Sequence, residues 1–81
     1  MASRRGDYED RITIDPNILV GKPVITGTRI PVSLILNLIA HDRTFEQIIE
    51  DYPNLTVQDI KAALAFAEDY VDRQDTFVRA S

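Results

Sequence analysis

The chain contains no cysteine. A disulfide framework and a thiolate metal site are therefore both excluded. Tryptophan is absent too, and the single histidine, His41, could supply at most one metal ligand. Glycine occurs only at Gly6, Gly21 and Gly27, and Gly21-Lys22-Pro23 lacks the spacing of a phosphate-binding loop. No apolar run approaches the roughly 18 residues of a membrane-spanning helix. The opening stretch, Met1 to Asp10, has no signal-peptide apolar core. The expected setting is the cytoplasm, with no membrane partner, no metal and no cofactor.

What is present is an ordinary globular composition. Hydrophobic residues make up 44% and charged residues 27% of 81 positions, which argues against a collagen-like or wholly disordered chain. Such a length allows one small domain that buries about 60–65% of its unfolded surface. A core this small gains from a partner subunit, and a homodimer is expected.

The net charge of -4 is unevenly spread. Residues 1–41 hold five bases against four acids, whereas residues 42–75 hold three bases against nine acids. Nucleic-acid backbones demand clustered Lys or Arg. Any such contact would draw mainly on Arg4, Arg5, Arg11, Lys22 and Arg29 in the first half.

Three regions are expected: a flexible arm at 1–10, a single domain at 11–73 and a frayed tail at 74–81. Arg11-Ile12-Thr13-Ile14 alternates in the manner of a half-buried strand. Asp15-Pro16-Asn17 signals a turn, with Asp able to bond the following backbone. Pro23-Val24-Ile25-Thr26 is a second strand candidate, and Gly27-Thr28 a bend. A first helix is expected to start at Pro31 or shortly after it and to run through Ala40, since proline suits a first helical position. It is apolar almost all round, so it is central or shared between subunits.

A second helix should run from Phe45 to Asp51, capped by Thr44 with Gln47 completing a capping box. Phe45, Ile48, Ile49 and Tyr52 form its apolar face. Pro53 breaks the chain. A third helix should run from Val57 to Arg73 behind Thr56, with Asp59 near its positive end. Its expected apolar stripe is Val57, Ile60, Leu64, Ala67 and Val71, widened by Ala63, Phe66 and Tyr70. The fold class is mainly α with a small N-terminal β-element, a three-helix, homeodomain-like helix-turn-helix bundle.

No catalytic constellation emerges. His41 could pair only with Ser33 or a threonine, and at a helix end an imidazole already has a structural role. Glu50-Asp51 and Glu68-Asp69 are adjacent pairs, which point apart on a helix. An enzyme is not expected. The short helix, break and long capped helix have helix-turn-helix proportions. Thr56, Gln58, Asp59 and Lys61 would then face a DNA groove. Arg29 could grip a carboxylate or a phosphate with two prongs, or close an internal Arg–Asp clamp.

The string Gly21-Lys22-Pro23-Val24-Ile25-Thr26-Gly27-Thr28-Arg29-Ile30-Pro31-Val32 resembles the small prokaryotic Domain of Unknown Function 433 family, which is antitoxin-like. The similarity continues through Ile48 to Thr56 and along Asp59-Ile60 to Ala67. It covers roughly residues 11–71. The resemblance implies a short β-element followed by a homeodomain-like bundle. It also implies a non-catalytic antitoxin that neutralises a PIN-like ribonuclease toxin and binds operator DNA as a dimer. An acidic surface of Glu68, Asp69, Asp72 and Asp75, with Tyr70 and Phe77 as anchors, would then cover the toxin's basic cleft. The alternative is a stand-alone helix-turn-helix regulator.

Overall fold

The alternation of Arg11 to Ile14 yields a two-residue strand, β1 (Ile12–Thr13), paired antiparallel with β2 (Val24–Ile25). Ile12 lies opposite Ile25, and Thr13 opposite Val24. Thr26 N extends the ladder to Arg11 O at 2.9 Å. Both strands are shorter than the sequence predicts. After Thr13 the chain is diverted by the Asp15 carboxylate, which accepts from Asn17 N at 2.8 Å. The computed structural model describes Tyr8 and residues 10–73.

Between the strands, Leu19–Gly21 form one 3-10 turn. Leu19, Val20 and Gly21 all take positive φ, at 49°, 56° and 80°. For β-branched Val20 that geometry is strained. The residue is 92% exposed, so packing does not repay the strain.

Beyond β2 the chain closes a second loop. Ile25 N donates to Ile30 O at 3.0 Å, and Thr28 N to Ile25 O at 3.0 Å. Gly27 occupies the third position of that inner turn with φ 83°. A Cβ there would meet nothing within 4 Å, so glycine is needed for its backbone angle.

α1 spans Val32–Ala40, starting just after Pro31, which is its N-cap. Pro31 keeps extended ψ (149°) because it still bridges to Val24. Val32 N is taken by Pro23 O at 2.9 Å. At the other end the His41 ring Nδ1 lies 2.8 Å from Asn37 O, the helix-end role expected of it.

α2 spans Phe45–Asp51 and α3 spans Val57–Asp72. Each opens on a full capping box. In α2, Gln47 N donates to Thr44 Oγ1 at 3.1 Å, and Thr44 N to Gln47 Oε1 at 2.9 Å. In α3, Asp59 N donates to Thr56 Oγ1 at 3.2 Å, and Thr56 N to Asp59 Oδ2 at 3.1 Å. Reciprocal bonding satisfies two backbone donors that the helix itself cannot.

The three helices pack as a bundle, and β1 lies against α3. Ile25, Val32, Ile35, Ile48, Leu55, Ile60 and Ala63 form the core. Each large side chain among them contributes about 2 kcal/mol by burial. α1 is central, with Leu36, Leu38 and Ile39 partly buried around Val32 and Ile35.

The expected stripe of α3 holds at Ile60, Ala63 and Phe66, which join or pack against the core, and fails at its edges. Asp59, Ile60, Ala62 and Ala63 are buried, whereas Val57, Leu64, Tyr70 and Val71 are exposed. The helix is covered from a second side. Arg11 reaches Asp59, and Tyr8 sits edge-on against Phe66 with ring centroids 5.5 Å apart. Tyr8, which the sequence reading places in a flexible arm, is buried.

Candidate partner-binding cleft

The residues expected to touch DNA do not form one surface. Arg4 and Arg5 lie outside the described residues. Arg11 Nη1 donates to Asp59 Oδ1 at 3.0 Å, so its charge is used within the fold. The Thr56 hydroxyl is occupied by the cap of α3, and Asp59 is 8% exposed rather than facing outward. Arg11, Gln58 and Lys61 do share one hollow of about 330 Å3 beside Ala62 and Ala65. Lys22 and Arg29 each line a different depression. The first turns of α3 therefore offer Gln58 and Lys61 as outward polar groups.

The expected acidic partner surface also divides. Asp69 turns inward, with its side chain 17% exposed. Tyr8 Oη donates to Asp69 Oδ2 at 2.5 Å, and Arg73 Nη2 donates to the same oxygen at 3.1 Å. Glu68 and Asp72 are exposed, while Phe77 lies outside the described residues. Tyr70 is 59% exposed and borders an apolar cleft.

That cleft, of about 650 Å3, is the feature the sequence reading missed. Ile14 reaches it from the end of β1, and Pro23 from the approach to β2. Val32 and Leu36 supply the α1 wall, and Phe66, Ala67, Tyr70 and Val71 the α3 wall. Lys22 adds positive charge to the lining, which also includes the Asp69-paired Arg73. Ile14, Tyr70 and Val71 are each about 60% exposed, a concentration of apolar surface that marks interaction sites on small proteins. A signal for it existed. The predicted stripe of α3 was too wide for one core contact, and Ile14 stood just before the turn at Asp15.

Among the described residues no group of three or more His, Asp or Glu gathers to hold a metal ion. None of their helices is long and apolar enough to cross a membrane.

Comparison with known proteins fits this architecture. The crystal structure of a DUF433 member protein from Anabaena variabilis ATCC 29413 superposes with a TM-score of 0.74. The match covers 96% of this chain and 77% of that one at 24% identity, and so concerns the fold alone. The uncharacterized protein y4eO of Sinorhizobium fredii (strain NBRC 101917 / NGR234) is 37% identical over 57 residues. Those residues are 70% of this chain and 26% of that protein, so the chain spans about a quarter of the relative's length. The model of the family described as "Protein of unknown function (DUF433)" matches residues 12–67, from β1 to the middle of α3. The chain belongs to the DUF433 family.

Proposed function

We propose that this chain is a non-catalytic binding protein of antitoxin type, acting in the cytoplasm on a PIN-like ribonuclease. The observation that carries the reading is the apolar cleft between α1 and α3, flanked by exposed Ile14, Tyr70 and Val71. Binding energy in protein interfaces concentrates in such desolvated apolar and aromatic anchors. Lys22 would set orientation at the edge of the contact. The docking surface is then the cleft with Tyr70, in place of the acidic set that includes Asp69. A homodimer belongs to the same proposal, with Val57 and Leu64 on α3 as apolar groups left for it.

The test is titration of the full chain into a PIN-like ribonuclease encoded beside it, read by calorimetry and by RNA cleavage. Stoichiometric binding with loss of cleavage is expected. Tyr70→Ala and Val71→Asp should each weaken it at least about tenfold, equivalent to about 1.4 kcal/mol, while the unfolding midpoint holds. Unchanged binding in both variants would remove the cleft from the proposal, and no complex at all would remove the antitoxin reading.

A second reading, direct DNA binding, is favoured by Gln58 and Lys61, which line one hollow on the first turns of α3. It requires affinity for the chain's own promoter that falls steeply with salt. It also requires that Lys61→Ala reduce that slope.

A further inference from the structure

Three of the described arginines are each matched to an aspartate. Arg11 pairs with Asp59, Arg43 with Asp51 and Arg73 with Asp69. Arg29 is exposed and makes no ion pair among the described residues. This holds in a chain where thirteen acids face nine bases. The internal Arg–Asp clamp that the sequence allowed for Arg29 is made instead by Arg11.

The backbone beneath Arg29 is fixed. Thr28 Oγ1 donates to Ile25 O at 2.8 Å and accepts from Ile30 N at 3.0 Å, so it straddles Arg29 on both sides. The Ile25 N to Ile30 O bond closes the same loop at 3.0 Å. The loop therefore presents Arg29 with little backbone freedom left to lose, which is what precise recognition requires.

Arg29 also stands in a hollow of about 540 Å3 built from three separate segments. Ile18 comes from the turn after β1, Gly27 to Ile30 from the closed loop, and Asn54 from the break between α2 and α3. The lining thus joins one guanidinium and one carboxamide to apolar walls of Ile18 and Ile30.

We propose that this hollow recognises a single carboxylate on a partner protein, with Arg29 as its anchor. A guanidinium meets a carboxylate through two parallel N–H···O bonds, a geometry that a lysine cannot reproduce. Arginine beside apolar surface is a common anchor of protein interfaces. A nucleic-acid strand would bring successive phosphates, each calling for a cation. The lining offers Arg29 alone, on a chain of net charge -4. The site shares no lining residue with the α1–α3 cleft, so the proposal stands apart from the antitoxin reading.

The experiment is an NMR titration of the isotopically labelled full chain with three probes. These are the capped dipeptides acetyl-Leu-Glu-methylamide and acetyl-Leu-Gln-methylamide, and a short DNA duplex. The Glu dipeptide should shift the Arg29 Nε–Hε, Thr28 and Asn54 resonances saturably, and the Gln dipeptide should not. Arg29→Lys should weaken the response several-fold although charge is kept, and Arg29→Ala should abolish it. Because the side chain is exposed, both variants should unfold at the parent temperature, which serves as the control. Equal shifts from the Gln dipeptide, no saturable shift, or an Arg29→Lys response equal to the parent's would overturn the proposal. So would a stronger response to the duplex at these resonances, which would assign the hollow to phosphate.

Discussion

Arg11 and Asp59 are 48 positions apart in the chain, yet Arg11 Nη1 meets Asp59 Oδ1 at 3.0 Å. The same carboxylate accepts from Thr56 N through its other oxygen. One aspartate therefore starts α3 and fastens β1 to it. Replacing Asp59 by Ala removes both bonds and leaves Thr56 N at the start of α3 without its capping acceptor. The expected loss is about 2 kcal/mol. Arg11→Ala should cost less, about 1 kcal/mol, because that side chain is 45% exposed and exposed pairs are weak. A double-mutant cycle on urea midpoints measures the coupling, and a zero value would mean that the pair contributes nothing.

Tyr8 offers a cleaner deletion. Tyr8→Phe keeps the ring against Phe66 and removes the hydroxyl that donates to Asp69. A bond to a charged acceptor predicts a loss of about 1.5 kcal/mol. Tyr8→Ala also removes ring packing and should cost about 3 kcal/mol. Equal effects of the two variants would show that the ring packing is unimportant.

Val20 should respond in the opposite direction. Its φ of 56° and 92% exposure mean that strain is present with no packing to lose. Asparagine tolerates this region. Val20→Asn is expected to raise stability by about 0.5–1 kcal/mol, read as a higher thermal midpoint. A lower midpoint would mean that Val20 makes contacts worth more than its strain.

At the centre, Ile35 is fully buried between the helices. Ile35→Ala should cost about 3 kcal/mol through lost burial and the cavity left behind. A domain this size has only a few kcal/mol in reserve. Calorimetry should therefore show a large drop in midpoint, or no cooperative transition at all.

The helices were legible because their signals are local. Thr44 with Gln47 and Pro53 after Tyr52 mark α2 to the residue. Thr56 likewise marks the start of α3. The face of α3 was only partly legible, because periodicity describes one helix against one partner. Here a second partner, β1 with Tyr8, buries Asp59 and Ala62 beside the expected Ile60 and Ala63. The roles of Arg11 and Asp69 were hidden for a related reason. A charged residue read along the sequence looks available, and only folding over 48 or 61 positions shows that its charge is already matched. Arg29 is the converse, a charge with no ion-pair partner among the described residues.

The long reach of the Tyr8 and Arg11 bonds bears on how the chain is made. During synthesis, Tyr8 and β1 leave the ribosome well before Asp59 and Asp69 have been added. β1 can pair with β2 early, but a two-stranded ribbon is marginal by itself. Arg11 finds its acceptor with the first turn of α3, but Tyr8 must wait for Asp69 in the last. A polypeptide halted between those two points would hold β1 through Arg11 alone, with Tyr8 still lacking its Asp69 bond, the kind of half-secured state on which proteases and chaperones act.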